Sequence, residues 1–484
     1  MADFILIQPT LGNRTFFPLS QHLPLGLLHA ANLLSKEFKG KIIDQRLDSN
    51  WRASLIEELK QKPICVGITS MTGPEIKNGL EAAKLTKLNS KTPVVWGGIH
   101  ATLLPEQTVK NRYIDYVVKG EGEETFYELV KALSEHRPVE GIAGIWYKRN
   151  GNIVGNQDRD FVDLNLMPAL PYEILDLDRY TYPSKNERFM SFESSRGCPR
   201  RCTFCFIGSS SCYWRALSPE KTIEHISRIL RLTGARHIIF IDSNFFVNLE
   251  RAKIIIEAFP KLNILSWQSR GLDIDTGLLM NEEYLRLLEN SGCEMLDFGI
   301  ESGSERIRKL INKLPADVEK IIKLNRRLAN FKIRIRYNFM AGFPTETRED
   351  LKKTVDLILK LKKENHRAAS TKLSLYTPYH GTKLFEFALT LGFKTPSKLE
   401  AWSDYEWTQS HLPWLNNKEK KELETLHLAS AVLEHIPRFY KSWIYIFLRR
   451  IYTPVALCRL KNLFLKFPLE VRIKNILLFC NNPH

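Results

Sequence analysis

The stretch SRGCPRRCTFC, residues 195–205, follows a run at 188–194 that is predicted to be a buried strand, and it contains three of the 8 cysteines of the chain. Cys198, Cys202 and Cys205 stand four and three residues apart. Thiolates are the usual protein ligands of iron–sulfur clusters, and short cysteine spacings in a loop can hold such a cluster. Three ligands leave one iron of a four-iron cluster open. The stretch therefore predicts a cluster that can bind a small molecule.

Three other interpretations of this spacing stay open. The spacing i, i+4, i+7 also fits one packed face of a helix, although Gly197 and Pro199 favour a loop. A disulfide is the second interpretation, although 8 cysteines in 484 residues is a sparse usage, typical of a reducing compartment. A zinc site is the third, although the next cysteine, Cys212, lies seven residues beyond Cys205.

Cys-x3-Cys-x2-Cys with Phe204 before the last cysteine resembles the signature of the radical S-adenosylmethionine (SAM) superfamily. The resemblance implies that Cys198, Cys202 and Cys205 bind a 4Fe-4S cluster and that SAM chelates its open iron. It implies that one electron from the cluster cleaves SAM to methionine and a 5′-deoxyadenosyl radical. It further implies that the Phe204 ring lies against the adenine of SAM, and that an external donor such as flavodoxin or ferredoxin reduces the cluster.

The first 145 residues alternate short apolar runs with helical patterns. This alternation predicts a Rossmann-like parallel sheet with helices on both faces. The predicted strands are 4–8, 41–44, 64–69, 94–96 and 116–118, and a helix is predicted over 26–38. Such a sheet binds ligands beyond the carboxyl ends of its strands.

Small and polar residues follow four of these strands. Glycine lets a backbone approach a ligand closely, and hydroxyl and amide groups suit a phosphate or an amide-rich tail. The candidate ligand-binding residues are Thr10; Ser70, Met71, Thr72 and Gly73; Gly97, Gly98 and His100; and Gly120, Glu121 and Gly122. An ordinary turn is the alternative for each of these residues taken singly.

The segments GITSMTG (67–73), WGGIHAT (96–102) and VKGEGEET (118–125) together resemble the cobalamin-binding domain of many radical SAM proteins. The Asp-x-His-x-x-Gly segment of methionine-synthase-like domains is missing from the sequence, which implies a cobalt without a histidine below it. His100 lies on a different loop from the histidine of that segment. A nucleotide-binding sheet is the alternative, but PTLG (9–12) replaces the Gly-x-Gly-x-x-Gly of dinucleotide-binding sheets.

A linker and a second domain follow. Pro168, Pro171 and Pro183 interrupt any long element and predict a linker over 146–186. Strand and helix patterns then alternate again over 187–396, with strands predicted at 188–194, 237–242, 263–269, 295–301, 332–340 and 371–376. Six strand–helix units predict a partial (β/α)6 barrel of the TIM type, whose function lies at the carboxyl ends of its strands.

Polar residues near the carboxyl ends of the barrel strands are candidates for binding SAM. They are Asp242, Ser243, Arg270, Glu301, Ser302 and Asn338. An acceptor such as Glu301 suits ribose hydroxyls, and Asp242 or Ser243 suits the ammonium of SAM. These patterns resemble the cobalamin-dependent radical SAM family across the barrel, although Asp-Ser-Asn (242–244) replaces the Gly-Gly-Glu of the superfamily. A helix cap or loop residue is the alternative for each side chain.

Residues 397–484 begin with an aromatic-rich segment, followed by a helix predicted over 418–436 and a basic tail. The tail, 437–484, has nine Lys or Arg residues and one acidic residue, so it carries +8 of the net charge of +16. Basic and aromatic residues alternate there, which suits an anionic membrane surface or an acidic substrate. A solvated basic face on packed helices is the alternative. The resemblance implies that this region closes over the substrate.

The resemblance implies an enzyme in which SAM methylates reduced cobalamin, while a second SAM supplies the radical that abstracts hydrogen from an unactivated carbon. Methyl transfer to that carbon radical completes the reaction. We therefore expect a C-methyltransferase that acts on a small-molecule or lipid substrate. The alternative is a non-methylating enzyme that resembles the anaerobic magnesium-protoporphyrin monomethyl ester cyclase, or one that rearranges rings.

Two further classes of protein are alternatives. The net charge invites an RNA-modifying radical enzyme, but methylthiotransferases of that kind carry a second cysteine triad upstream, whereas Cys65 is the only cysteine before Cys198. We therefore expect no nucleic-acid partner. The other class is a non-catalytic cobalamin or cluster protein, such as a sensor or carrier, and the intact cysteine triad together with the polar residues at the strand ends disfavours it. The absence of an 18-residue apolar run and of a basic n-region predicts a cytoplasmic protein.

Overall fold

The computed structural model describes residues 2–11, 22–180, 188–207, 213–315, 317–371, 373–405, 412–434, 443–465 and 470–471. The chain divides into two compact units. The first unit contains Met1–Tyr182, Arg228–Gly234 and Thr395–Gln409, and the second contains Pro183–Ser227, Ala235–Lys394 and Ser410–His484. Pro183, Cys212 and the tail beyond Val471 lie outside the described residues.

The first unit is built on a seven-stranded sheet in the order β2-β1-β3-β4-β5-β6-β7. Its strands are β1 (Phe4–Gln8), β2 (Gly40–Asp44), β3 (Cys65–Thr69), β4 (Val94–Gly97), β5 (Tyr116–Val118), β6 (Ile145–Arg149) and β7 (Asn152–Gly155). Strands β1 to β5 pair in parallel. All five side chains of β1 are buried, as expected of a parallel strand covered on both faces.

Helices cover this sheet. They are α1 (Leu25–Ala31), α2 (Trp51–Leu59), α3 (Pro74–Asn89), α4 (Ile99–Leu103), α5 (Pro105–Lys110) and α6 (Glu123–Ser134). Phe4, Leu6, Val95, Phe126 and Leu129 form part of the buried core between sheet and helices. The helix observed here is shorter than the one predicted over 26–38. Helix α1 ends at Ala31, and a separate 3-10 turn covers Leu34–Lys36.

Two antiparallel strands extend this sheet beyond the five that the sequence predicts. Strands β6 and β7 pair with each other, and β6 pairs with β5. They occupy 145–155, at the start of the segment predicted as a linker. Asn150 and Gly151 join them with φ of 49° and 80°. Positive φ at both positions is what a type I′ hairpin turn requires, and Asn-Gly is its strongest sequence signal.

The second unit is built on a parallel sheet in the order β15-β14-β13-β12-β11-β8, with β16 paired to β14. Its strands are β8 (Phe189–Phe192), β11 (His237–Phe240), β12 (Ser266–Leu272), β13 (Cys293–Glu301), β14 (Arg334–Ala341), β15 (Ala368–Ser370) and β16 (Ser374–Leu375). A separate two-stranded antiparallel sheet pairs β9 (Ser195–Arg196) with β10 (Arg215–Ala216). Neighbouring strands of the main sheet are parallel and follow chain order. This arrangement confirms the predicted partial barrel, with the sixth strand split in two.

The described helices of this part of the chain are α7 (Pro219–Thr233), α8 (Leu249–Glu257), α9 (Ile274–Leu279), α10 (Glu282–Asn290), α11 (Glu305–Leu310), α12 (Val318–Leu328), α13 (Arg348–Glu364), α14 (Lys383–Thr390), α15 (Asn417–Ser430) and α16 (Trp443–Asn462). The helix predicted over 418–436 ends at Ser430, and a 3-10 turn follows at Ala431–Leu433. None of the helices in the described ranges is long and apolar enough to cross a bilayer.

Candidate cofactor-binding sites

The three cysteines lie in a loop that follows β8 and β9. Cys202 is buried, Cys198 and Cys205 are half-buried, and all three are free thiols. Residues 198–205 contain no helix, so the three thiols do not form a packed helix face. The Cys205 amide donates to the Cys202 carbonyl at 3.2 Å, which turns the loop back on itself. The antiparallel pairing of β9 with β10 supports the base of the loop.

The thiols of this loop influence one another. Burial raises the pKa of both Cys198 and Cys202, and the nearby Cys205 raises them further. Across the described part of the chain, no three His, Cys, Asp or Glu side chains converge on a single metal ion. Three thiols close together in one loop are the ligand set that a 4Fe-4S cluster with one open iron requires, so the residues present fit such a cluster.

Two carboxylates anchor the cysteine loop to the barrel. Asp242 is buried and accepts hydrogen bonds from the Ser194 amide at 2.9 Å and from the hydroxyls of Ser194 and Ser195 at 2.7 and 2.5 Å. Burial raises the pKa of Asp242 to about 6, although these hydrogen bonds oppose the shift. Arg200, within the loop, donates to Asp273 at 2.6 Å. Asp242 therefore positions the loop, and its contact with the SAM ammonium stays a prediction.

A second segment of the barrel is bonded to the loop on either side of Cys202. The side-chain amide of Asn312 donates to the Arg201 carbonyl at 2.8 Å. The Thr203 amide donates to the Ile311 carbonyl at 3.0 Å. These two bonds hold the turn after α11 against the loop, and therefore bring the next residue along that turn close to Cys202.

That residue is Lys313, which forms a buried ion pair with Glu301. The Glu301 Oε1 and Lys313 Nζ atoms are 3.3 Å apart, with side chains 9% and 14% exposed. Burial alone would lower the pKa of Lys313, but the charges of Glu301 and Cys202 outweigh burial and raise it. A Cβ on Gly299 would lie 2.6 Å from Glu301 Oε1 and 2.7 Å from Lys313 Nζ, so a larger residue there would displace the ends of both side chains. The ammonium is therefore held charged beside the cysteine loop.

The remaining SAM candidates lie along the same edge of the barrel. Asn338 is paired in register with Gly299, which places it beside the ion pair on the neighbouring strand. Ser302 is fully buried and bonds to the Thr354 hydroxyl at 3.1 Å, as an internal loop residue does. The Phe204 ring packs edge-on against Phe343, with centroids 6.2 Å apart. Their roles toward SAM stay predictions.

Ser243 and Arg270 lie at the carboxyl ends of β11 and β12. A Cβ on Gly271 would lie 2.0 Å from the Ser243 carbonyl oxygen, so a glycine lets the two strand ends approach closely. Arg270 is exposed and Ser243 is half-buried. Both residues are therefore accessible at the edge of the barrel where the sequence places the SAM site.

In the first unit, the loops after β3 and β4 are bonded to each other. The Ser70 amide donates to the Gly97 carbonyl at 3.2 Å, and the His100 amide donates to the Ser70 carbonyl at 3.2 Å. The Trp96 indole donates to the Ser70 hydroxyl at 2.9 Å. Gly98 has a φ of 93°, and a Cβ there would lie 2.7 Å from the Ser70 carbonyl oxygen. The predicted ligand-binding residues of these two loops therefore form one continuous edge of the sheet.

His100 lies inside this unit. The ring is fully buried, its Nδ1 atom is 2.9 Å from the Thr72 hydroxyl, and it packs edge-on against Trp402 with centroids 5.6 Å apart. This position orients the loop after β4 and does not favour the side chain as a cobalt ligand. Its contribution to cofactor binding stays a prediction.

The outer surface of the same edge is open and partly apolar. Met71 and Ile99 are 48% and 43% exposed. Gly73 and Gly120 have φ of 120° and 83°, and a Cβ on Gly120 would meet nothing within 4 Å. Exposed apolar side chains beside uncrowded backbone suit a large, flat ligand with amide side chains. These residues fit cobalamin.

Three other predicted residues support this edge from within. The Thr10 amide donates to Gln45 Oε1 at 3.2 Å. Glu121 accepts from the Val162 amide at 3.1 Å. A Cβ on Gly122 would lie 3.4 Å from Ala30 Cβ, at ordinary van der Waals distance, so Gly122 lies against α1. Contact of these residues with cobalamin stays a prediction.

Two family models match separate parts of the chain. The model of the radical SAM superfamily matches residues 192–358, and that of the B12 binding domain matches residues 18–130. The chain is 34% identical over 375 residues to the uncharacterised methyltransferase PH0819 of Pyrococcus horikoshii, covering 76% of this chain and 78% of that protein. The protein belongs to the cobalamin-dependent radical SAM enzymes. The predicted family and its cofactors, a 4Fe-4S cluster, SAM and cobalamin, are confirmed at the level of the family.

Two further comparisons place this radical SAM enzyme among its relatives. It is 26% identical over 338 residues to the anaerobic magnesium-protoporphyrin IX monomethyl ester cyclase of Rubrivivax gelatinosus, covering 67% of this chain and 58% of the cyclase. The structure of the radical SAM methyltransferase TsrM of Kitasatospora setae, with cobalamin and a 4Fe-4S cluster bound, superposes with a TM-score of 0.67 at 20% identity. The superposed region covers 82% of this chain and 76% of TsrM.

Sequence reasoning missed two residues that this radical SAM enzyme holds beside its cysteines. Lys313 follows a stretch rich in charged residues, where nothing in the pattern separates it from exposed neighbours such as Lys309. No pattern in the sequence singles out Arg200, and its bond to Asp273 joins positions 73 residues apart. Both depend on long-range contacts that a linear pattern does not contain.

Proposed function

We propose that the protein transfers a methyl group to an unactivated carbon of a small-molecule or lipid substrate. The observation that carries the proposal is a cysteine triad held in a loop at the edge of the second unit, on a chain that also has a cobalamin-type sheet edge. The name of the relative from Pyrococcus horikoshii, a methyltransferase, supports the same reaction.

When bound, the cluster, SAM and cobalamin supply a radical that abstracts hydrogen and a methyl group that can be transferred. The residues of the chain position these groups and exclude water. Asp242 fixes the base of the cysteine loop, and the turn that carries Lys313 fixes its middle. Hydrogen abstraction by a radical requires no general acid or base, so we assign no side chain to that role.

The second candidate reaction is cyclisation or rearrangement without methyl transfer. The cyclase of Rubrivivax gelatinosus supports it, but at lower identity and over a smaller share of its own length than the Pyrococcus relative. We therefore place methyl transfer first. Product mass separates the two reactions, because methylation adds one methylene unit and cyclisation does not.

The experiment that tests the proposal is anaerobic reconstitution with iron, sulfide and cobalamin, followed by mass spectrometry after addition of SAM and a reductant. We expect about four irons per chain and 5′-deoxyadenosine as a product. The C198A/C202A/C205A variant should neither bind iron nor form 5′-deoxyadenosine. Cys458→Ser, at an exposed cysteine of α16, is the matched control and should behave as the native protein does.

Two outcomes would contradict the proposal. One is a native protein that never holds a four-iron cluster, and the other is a triple variant that still cleaves SAM. Retention of cobalamin without any cleavage of SAM under reduction would instead support the sensor or carrier class.

We also propose an external one-electron donor, such as flavodoxin or ferredoxin, and a cytoplasmic location. The cluster must be reduced for each SAM cleavage, and thiolate ligands persist best in a reducing compartment. The described cysteines, which are all free thiols, are compatible with such a compartment.

A further inference from the structure

Helix α16 is anchored to the second unit by a face that contains two arginines. Arg459 pairs with Glu470, with Nε and Oε1 2.8 Å apart and both side chains about one-tenth exposed. Arg449 donates to the carbonyl of Val432 at 3.0 Å and also to that of Glu434. The charged groups of the helix that face the protein are therefore satisfied by ion pairing and by backbone carbonyls.

The opposite face of α16 is apolar and exposed. Phe447, Ile451 and Val455 are 55%, 58% and 52% exposed, and they stand four residues apart. Residues at i and i+4 lie on the same side of a helix, so the three side chains form one stripe. Cys458, which is also exposed, continues the stripe toward the end of the helix. A surface helix of a water-soluble domain normally turns its polar side outward, whereas α16 exposes this apolar stripe and also buries Ala456 and Leu460 on its other side.

Positive charge borders this apolar stripe. Arg450 and Lys461 are exposed on the same helix, near the two ends of the stripe. The surrounding segment, 437–484, carries nine basic residues and one acid. The single acid, Glu470, is held by Arg459 and does not offset the charge at the surface. An apolar stripe with a cationic border matches a surface that is anionic outside and apolar beneath.

We propose that the stripe of Phe447, Ile451 and Val455 on α16 docks on an anionic lipid bilayer, with the helix lying in the plane of the interface. The apolar side chains enter the boundary between headgroups and acyl chains, and Arg450 and Lys461 contact lipid phosphates. The helix lies on the bilayer and does not cross it, because its inward face is occupied by arginines bonded to the protein.

A second copy of the chain fits this surface less well than a bilayer does. A two-fold contact through the stripe would place the same patch on both sides of the interface. Arg450 and Lys461 of the two copies would then face each other, and like charges in close contact disfavour association. Anionic headgroups meet the same cations with the opposite sign. The charge pattern therefore selects lipid over self-association.

The test is co-sedimentation of the full-length protein with vesicles of phosphatidylcholine alone and with vesicles that contain about 30% phosphatidylglycerol. We expect binding to the anionic vesicles and little binding to the neutral ones. Raising the salt concentration from about 0.1 to 0.5 M should weaken binding severalfold, because exposed charges are screened. Absence of binding to anionic vesicles would overturn the proposal.

Variants locate the surface. Phe447→Ser combined with Ile451→Ser should lower vesicle binding by at least about tenfold, and Arg450→Gln should lower it about fivefold. The matched control is Leu279→Ser, which removes a 75% exposed leucine from α9 of the same unit and should leave binding unchanged. Equal binding by the double variant and the control would contradict the assignment.

Sedimentation velocity without vesicles separates the two occupants. A native dimer that the double variant dissociates, with no binding to either vesicle, would show that a second copy covers the stripe and would overturn the lipid assignment. The proposal is independent of methyl transfer, since vesicle binding is measured without SAM, cobalamin or a reductant. Failure of one proposal is therefore distinguishable from failure of the other.

Discussion

Lys313 and Glu301 place one positive and one negative charge in the wall beside the cysteine loop. A buried ion pair costs desolvation energy that its mutual attraction only partly returns, so its position calls for a role other than stability. Glu301 has a φ of 68°, a conformation that costs a non-glycine residue energy, which shows that its placement is constrained. A charge held at low exposure beside a redox centre changes the potential of that centre.

Replacing Lys313 with Met should lower the reduction potential of the reconstituted cluster, because the reduced cluster carries the additional negative charge. Glu301→Gln should raise it. The expected size is on the order of 50 mV for a partly cancelled charge at an effective dielectric constant of about 20. The measurement is a redox titration followed by electron paramagnetic resonance, without SAM.

Lys309→Met is the matched control for this prediction. Lys309 is exposed on α11, four residues before Lys313, and its removal should leave the potential unchanged. Shifts of the same sign in Lys313→Met and Glu301→Gln would indicate a general disturbance of the loop, and would contradict an electrostatic role for the pair.

Among the elements of the second unit, α13 begins with a cap that also joins two parts of the barrel edge. Thr347 and Asp350 form a capping box, in which each side chain bonds to the backbone of the other. Asp350 also accepts from the Ser304 hydroxyl at 2.5 Å and pairs with Arg306, so one carboxylate joins the start of α13 to α11. Loss of this carboxylate should loosen both elements.

Asp350→Asn should lower the free energy of unfolding by about 1–2 kcal/mol at pH 7. Burial alone would raise the pKa of Asp350, but the bonds from Arg306, Ser304 and Thr347 hold it well below its usual range. A carboxylate with a lowered folded pKa stabilises the protein above its unfolded pKa of about 3.9 and loses that contribution as pH falls. The difference between native and variant proteins should therefore narrow below about pH 4.

Denaturant unfolding at several pH values measures this difference. Asp356→Asn, at a position of α13 whose side chain is 52% exposed and paired with Lys352, is the control. That exposed pair should contribute less than about 0.5 kcal/mol. A gap between native protein and Asp350→Asn that widens on acidification would show that the assigned sign is wrong.

In the first unit, the loop between β4 and α4 depends on a glycine. A Cβ on Gly98 would lie 2.6 Å from the Thr69 hydroxyl and 2.7 Å from the Ser70 carbonyl, and φ is 93°. Gly98→Ala should therefore destabilise the loop by at least about 1 kcal/mol and lower the retention of cobalamin, measured by its visible absorption after desalting. Gly26→Ala, in α1, is the control. A Cβ there meets nothing within 4 Å, so retention should not change.

The chain as a whole completes its first unit with a segment that lies far along the sequence. The Trp402 indole donates to Gln107 Oε1 at 2.6 Å, and the side-chain amide of Asn111 donates to Glu400 Oε1 at 2.6 Å. Trp402 is 1% exposed and packs against His100. The edge formed by the loops after β3 and β4 is therefore supported by residues that follow the barrel in the sequence.

Trp402→Ala should cost the first unit about 3–5 kcal/mol and sharply lower the amount of cobalamin retained, with little change in iron per chain. The reciprocal variant is Trp414→Ala. Trp414 donates to the Gly342 carbonyl at 3.0 Å in the second unit, so this change should affect iron content and spare cobalamin. Equal loss of both cofactors in both variants would contradict the assignment of the two tryptophans to separate units.

The sequence by itself predicted both parallel sheets, because buried parallel strands are short apolar runs separated by helical periodicity. The five strands of the first unit and the six of the second are local patterns of this kind. It also predicted the cysteine loop, since ligand type and spacing along the chain decide whether a cluster can be held. The hairpin at 145–155 was missed, although Asn150-Gly151 carried its signal, because prolines further along favoured a linker.

Tertiary structure alone decided which polar residues surround the cysteines and which support the sheet edges. Asp242 bonds to Ser194 and Ser195 across 48 and 47 positions, and Trp402 reaches Gln107 across 295. Linear periodicity does not contain such pairings, because they arise when strands order themselves in a sheet and a late segment returns to an early one. The direction of the apolar face of α16 was likewise decided by packing, since its sequence is apolar on both sides.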